Sequence, residues 1–215
     1  MKVVVLVEGE SDARALEALL QPIIALAGSR GIGVKFSSFG GKEQLLTDGL
    51  KFAAARLREH PQDYCIALPD LHPCGQARPP WQHATAAELR QRLQEGFIRA
   101  MDAAGASPEL VGHFLAHVLQ HDLEALLLAS EERLRLRLGR KRFRRCWRLP
   151  VEEQDDTEPP KVVVQRLFRK AGRRYQETRD APWILSKVDL EALCQACPQS
   201  FAPFISDLRR LVDRP

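Results

Sequence analysis

Residues 2–12 read KVVVLVEGESD. In Lys2–Val7 five consecutive aliphatic residues follow the lysine, without the polar alternation of a half-exposed strand. Such continuous apolarity belongs to a strand buried on both faces, as in a parallel sheet. Gly9 breaks the run, and Glu10 or Ser11 can cap a helix. From Asp12 to Ala27 apolar residues recur at Ala15, Leu16, Leu19, Leu20, Ile23 and Ile24, the spacing of one helix face. Pro22 lies inside that pattern and should kink or shorten it. Outward from there the alternation repeats. Val34–Phe39 reads as a second strand, Lys42–Glu59 as a helix, and Tyr64–Leu68 as a third strand ending at Pro69-Asp70. Residues 71–82, rich in proline, form a loop. Ala84–Ala104 reads as a helix, Val111–Gln120 as a fourth strand, and Asp122–Leu138 as a further helix. Alternating strands and helices predict an α/β fold: a mostly parallel sheet flanked by helices.

The C-terminal third departs from that pattern. Residues 151–160, VEEQDDTEPP, read as an acidic connector. Lys161–Tyr175, Asp189–Cys197 and Phe201–Val212 read as helices. The division is an α/β domain over residues 1–130 and a basic, mainly helical extension over 131–215, packed on it. Charge follows the same boundary. Residues 1–130 carry 12 Lys/Arg against 15 Asp/Glu, and residues 131–215 carry 20 against 13. Nine basic residues and no acid lie between Arg133 and Arg148. Such a stretch is either a solvated helix face or a surface for a phosphate backbone.

With 45% apolar and 28% charged residues, the 215-residue chain is ordinary for a folded domain. Its apolar runs are far short of the ~20 residues of a membrane span. The five cysteines, Cys65, Cys74, Cys146, Cys194 and Cys197, are odd in number and sparse, so a disulfide framework is not expected. With no signal-peptide pattern at MKVVVLVEGE, these features predict a cytoplasmic location.

In open α/β sheets ligands gather at the carboxyl ends of the strands. The first strand delivers Glu8, then Glu10 and Asp12. The third delivers Asp70 and His72. The fourth delivers His121, Asp122 and Glu124. Each acid also has a structural reading: Glu8 and Glu10 at a helix N-terminus, Asp70 in a turn, Asp122 and Glu124 in a first helical turn. Brought together, carboxylates need a cation or a shared proton, and hard oxygen ligands suit Mg²⁺ or Mn²⁺. Dinucleotide, P-loop and nucleophile-elbow motifs are absent. Cys194-x-x-Cys197 is half a zinc site without its second half. His113, His117 and His121 recur every fourth residue. On a strand that spacing shares one face, with His113 and His117 structural and His121 at the rim.

The segment VEGESDARAL, Val7–Leu16, resembles the first motif of Toprim domains, found in topoisomerases, primases and nucleases of the overcoming-lysogenization-defect type. The second such motif, D-x-D, is matched by Asp70-Leu71-His72, with His72 in place of the second acid. Over nearly its full length the chain more closely resembles a bacterial Toprim-like family of uncharacterised function. That family's H-E-F-E-A-L-L-F segment is matched by His121–Leu128. Its P-S-K-R segment is matched in part by Pro159-Pro160-Lys161, with Val162 in place of Arg. Its C-P-x-F-x-x-W helix is similar to Cys197–Phe201 followed by Phe204.

The resemblance implies a Toprim-like sheet and Mg²⁺- or Mn²⁺-dependent hydrolysis of phosphodiester bonds in DNA or RNA. Glu8, Asp70, Asp122 and Glu124 would ligate the cation, and Glu8, Asp70 and His121 would serve catalysis. Arg140, Lys141, Arg142, Arg144, Arg145 and Lys161 would hold the nucleic-acid backbone. The neighbourhoods of that family imply an ATPase as protein partner and a role in bacterial defence. His72 supports the alternative of a non-catalytic Toprim-fold partner or regulator of an ATPase or other effector. Monomer and homo-oligomer both stay open.

Overall fold

The structure, a computed structural model, describes residues 1–74, 81–140, 144–154 and 158–214. Strand β1 (Lys2–Val7) leads into α1 (Glu10–Leu19) and α2 (Gln21–Ser29), and β2 (Gly33–Ser38) follows. The expected long first helix divides at Leu20, because Pro22 starts a new helix instead of continuing the old one. A short α3 (Lys42–Gln44) passes through a π-turn, Leu45–Gly49, into α4 (Leu50–Glu59). Next come β3 (Tyr64–Ala67), α5 (Ala86–Ala104) and β4 (Phe114–Ala116).

The fourth strand is shorter than the sequence pattern predicts. Residues Pro108–His113 form a 3₁₀ turn, opened by Pro108 and by Ser107, whose hydroxyl accepts the Glu109 amide. His113 therefore lies before the strand, where its ring stacks on Tyr64. His117 pairs with Asp207 at 3.0 Å. Both are structural.

All four strands are parallel, in the order β2-β1-β3-β4. The alternation of side chains along β1 divides the core into two layers. Val3, Val5 and Val7 face a cluster built by α1, α2 and the C-terminal helices. Val4 and Leu6 face one built by α4 and α5. Burial on both faces is why β1 reads as an unbroken apolar run.

After β4 the chain forms α6 (Glu124–Ala129) and α7 (Glu131–Leu138). The single helix expected there breaks at Ser130, whose hydroxyl donates to the Leu126 carbonyl one turn back. Helices α8 (Pro160–Lys170), α9 (Glu177–Leu185), α10 (Leu190–Ala196) and α11 (Phe201–Val212) complete the chain. The spacing of Phe201, Phe204, Ile205, Leu208, Leu211 and Val212 turns one face of α11 into the core, all six buried. Helix α9 escapes sequence reading because Pro182 sits inside it.

The acidic segment before α8 is also more than a solvated connector. Val151–Glu153 is a 3₁₀ turn in which Val151 and Glu152 are buried. The Glu152 carboxylate accepts the Gln199 and Ser200 amides at 2.7 Å and the Ser200 hydroxyl at 2.5 Å. An acid from an apparent linker thus caps the last helix. Among the described residues no helix is long and apolar enough to cross a membrane.

Candidate metal centre

Parallel strands deliver their carboxyl ends to one edge, and hydrogen bonds stitch that edge together. Glu8 follows β1 directly, and its Oε1 accepts the Asp70 backbone N–H at 3.0 Å. Asp70 pairs with Leu119 beyond the ends of β3 and β4. Two residues on, the His72 amide donates to the His121 carbonyl at 2.9 Å. The second strand contributes as well. After it, Gly40 and Gly41 take φ of 81° and 139°, which side-chain-bearing residues rarely adopt. The Gly41 amide then reaches the Glu8 carbonyl at 2.8 Å. That turn aims Lys42, whose Nζ donates to the Leu71 carbonyl at 2.9 Å.

Two adjoining clefts open on this edge. One, of about 600 Å³, is lined by Glu8, Asp70, His72, Cys74, Asp122 and Lys161 among others. The second, of about 340 Å³, is lined by Glu8, Asp12, Asp70, Glu124, Lys161 and Glu177 among others. Glu8, Asp70 and Lys161 belong to both walls. Asp122 Oδ2 accepts the Lys161 amide at 3.2 Å, at the start of α8. Its other oxygen, Oδ1, is buried with no hydrogen-bond partner among the described residues. Glu124, buried, accepts the Tyr175 hydroxyl at 3.1 Å. Lys161 Nζ pairs with Glu177 at 2.9 Å.

The electrostatics follow from crowding acids into a poorly hydrated space. Burial pushes Glu8 up to about 7, with the Lys42 ammonium opposing the rise. Burial, then the Asp122 charge, pushes Glu124 up to about 8. Asp122 rises to about 6, again through burial, although the amide and charge of Lys161 and the Ala125 and Glu124 amides at the start of α6 hold it back. Asp70 is raised well above the ordinary aspartate range, by burial and then by Glu8, Asp12, Asp122 and Glu124. Burial lowers Lys42 against the pull of Glu8 and Asp70. For Lys161 burial acts downward, but Glu124, Glu177 and Asp70 together raise it.

Glu8, Asp70 and Asp122 therefore share one cleft, and Glu8, Asp70 and Glu124 the other. Lys161 stands between them. His121 lines neither. Its ring stacks on His72 with centroids 4.7 Å apart, and its Nε2 donates to the Glu152 carbonyl at 3.1 Å. Arg140, Arg144 and Arg145 lie elsewhere, on a groove of about 660 Å³ shared with Lys170. Arg140 donates to the Lys170 carbonyl, and Arg145 pairs with Glu131. Lys170 lies nine positions after Lys161 along α8, about 14 Å of helix rise. Lys141 and Arg142 lie outside the described residues.

Sequence reasoning missed Lys42, Tyr175 and Glu177 at this edge. The signal for Lys42 was available: a cation directly after Gly40-Gly41, at the carboxyl end of β2.

The donor set suits a hard divalent cation: several carboxylates and one unpartnered buried oxygen. Among the described residues no three His, Cys, Asp or Glu side chains already converge on one point. Mg²⁺ does not require that, since it commonly takes one or two carboxylates and completes its octahedron with water and substrate phosphate.

A family model described as a domain of unknown function, DUF4276, matches residues 7–209. No curated protein matches the chain. Among solved structures, the C-terminal region of the Burkholderia pseudomallei OLD protein is similar over 98% of this chain and 98% of that one, with a TM-score of 0.50 and 18% identity. The C-terminal region of the Xanthomonas campestris pv. campestris OLD protein, phased with mercury, aligns over 98% and 94% of the two chains, with a TM-score of 0.49 and 18% identity. At 18% identity the Burkholderia likeness bears on the fold alone, which in this chain is a four-stranded parallel sheet flanked by helices.

Proposed function

The chain belongs to the DUF4276 family, and from its carboxylate edge we propose that it hydrolyses phosphodiester bonds in nucleic acid with a divalent cation, Mg²⁺ or Mn²⁺. One observation carries this reading: Glu8, Asp70, Asp122 and Glu124, separated in sequence, border two clefts with a common wall, beside Lys161. Asp70, Asp122 through its unpartnered Oδ1, and Glu8 would hold the cation, with Glu124 serving the adjoining cleft. Bound there, a divalent cation neutralises phosphate charge and acidifies water.

The chain's own groups supply the rest. Lys161 offers a fixed positive charge to a phosphate oxygen. Glu8, which burial pushes up to about 7 in the cation-free chain, is ionised by a cation bound beside it and would then take a proton from water and return it. His121 lies outside both clefts, so it has no direct part in the chemistry and serves to position the His72 ring it stacks on. The groove of Arg140, Arg144 and Arg145 gives the backbone of a longer substrate a second hold. An ATPase partner and a role in bacterial defence extend the reading and rest on the family resemblance.

His72 at the second acidic position, and the lack of a preformed three-ligand group among the described residues, favour a second reading: a non-catalytic partner that keeps the fold. Incubating DNA and RNA with the protein across Mg²⁺ and Mn²⁺ concentrations separates the two. Metal-dependent cleavage that Glu8→Gln removes supports hydrolysis. No cleavage with either metal, together with no calorimetric Mg²⁺ binding, supports the partner.

A further inference from the structure

Helix α8 carries a different site on each of its two flanks. Lys161, Val162 and Gln165 line the carboxylate cleft, whereas Leu167, Lys170 and the C-cap residue Ala171 line the cationic groove. At 3.6 residues per turn, the nine positions from Lys161 to Lys170 make about two and a half turns, so the two lysines leave opposite sides of the helix. The arc through Val163, Val164, Leu167 and Phe168 is buried in the core. A continuous ligand that joins the two sites therefore has to pass over the opposite arc. Val162, Arg166 and Arg169, spaced i, i+4 and i+7, form the crest of that arc. Val162 and Arg169 are exposed, and Arg166 is half-buried. Arg166 holds the crest to the groove wall, donating to the Cys146 Sγ at 3.3 Å. Arg140 fixes the same wall to the end of α8 through the Lys170 carbonyl at 2.8 Å. No residue of α8 is acidic.

We propose that α8 is a saddle for a single-stranded polynucleotide, with one phosphate in the carboxylate cleft beside Lys161, the strand draped over Arg166 and Arg169, and later phosphates held in the groove by Lys170, Arg140 and Arg144. This rests on the hydrolytic reading for what happens in the cleft, and adds the substrate class. The path over the crest, about 14 Å of helix rise, takes on the order of three nucleotides of extended strand. A duplex, with a persistence length of about 150 base pairs, does not fold over one helix within so short a span. A single strand does. The contacts are cations to phosphates, plus the apolar face of Val162 for a sugar or base, so the saddle reads strandedness and not sequence.

Fluorescence anisotropy tests the saddle with labelled oligothymidylates and oligouridylates of about 2 to 12 nucleotides, in Ca²⁺ to occupy the carboxylate edge. Affinity should climb steeply to about four to six nucleotides and then flatten, for DNA and RNA alike. A blunt duplex of about 12 base pairs should bind at least about tenfold more weakly than either of its strands. The double variant Arg169→Ala/Lys170→Ala should weaken binding of the longest strand and flatten its log–log salt slope by about 0.7 for each phosphate no longer neutralised. A duplex that binds as tightly as its strands, an affinity indifferent to length, or an unaltered slope in the variant overturns the proposal. Circular dichroism checks the fold of the variant, and the length and duplex comparisons use the wild type alone. Turnover of bis(p-nitrophenyl) phosphate with Mn²⁺ reads the cleft without the saddle, so failure of the hydrolytic reading and failure of the saddle are distinguishable.

Discussion

Glu8 Oε1 accepts the Asp70 backbone N–H at 3.0 Å, joining the end of β1 to the residues that follow β3, 62 positions away. The bond shows locally how the edge is built. Neighbouring parallel strands end together, and the first acid beyond one strand closes on the backbone that carries the next. It also divides the roles of the two Glu8 oxygens. One is occupied by structure, and the other faces a region crowded with acids.

That division makes Glu8→Gln an informative change. Glutamine keeps an oxygen to accept the Asp70 amide and removes a charge that burial disfavours, so the cation-free thermal midpoint near neutral pH should not fall, and any shift should be upward. It removes the charge, so calorimetric Mg²⁺ affinity should fall by at least the ~10–100-fold that loss of an outer-shell partner costs. Metal-dependent cleavage should fall in parallel. Unchanged affinity and cleavage would remove Glu8 from the metal site.

The same bond shows what the sequence could and could not convey. Strand β1 and its two buried faces were legible, because unbroken apolarity at Lys2–Val7 marks a strand covered on both sides. The acids Glu8, Asp70, Asp122 and Glu124 were legible through the strand-end rule. Lys42 was not singled out, although the same rule applies to β2. Glu152 was hidden by composition: beside Glu153, Asp155 and Asp156 it reads as solvated linker, yet it is buried and caps α11. Tyr175 reaches Glu124 from 51 residues away, and no local pattern encodes such a pairing. Helix α9 was masked by Pro182, whose helix-breaking tendency tertiary packing overrides.

Lys42→Met should test the brace on the loop after β3. Methionine keeps the length but cannot donate to the Leu71 and Pro73 carbonyls, which the ammonium meets at 2.9 and 3.5 Å. Losing a charged donor should cost about 1–3 kcal/mol, read from a denaturant midpoint. An effect well below this range would mean that the loop holds its shape without the brace.

Nucleic-acid binding should depend on the groove that Arg140 and Arg144 line. Reversing both to Glu should weaken binding across sequences and flatten the salt dependence, by about 0.9 in the log–log slope for each duplex phosphate no longer neutralised. Fluorescence anisotropy at several salt concentrations reads both effects. An unaltered slope would assign these arginines to a solvated face.

The carboxylate edge should also govern how stability responds to pH. Glu8 rises from an ordinary 4.5 to about 7, Glu124 from 4.5 to about 8, and Asp122 from 3.8 to about 6, with burial the leading cause each time. An acid whose folded pKa is raised holds its proton more tightly folded than unfolded. Its favourable contribution is therefore complete below the unfolded value and is lost as pH climbs to the folded one. Without divalent cations, stability should decline between about pH 4 and 8, the reverse of the usual acid denaturation of paired carboxylates. A cation at the same edge favours the ionised acids and binds only the folded chain, so it should restore stability most at the alkaline end. Urea midpoints at about pH 5 and pH 8, with and without Mg²⁺, provide the measurement. The expected pattern is a cation-free midpoint lower at the alkaline pH than at the acidic one, and a Mg²⁺-induced gain larger at the alkaline pH. A gain equal at both pH values would show that Mg²⁺ binds away from Glu8, Asp122 and Glu124.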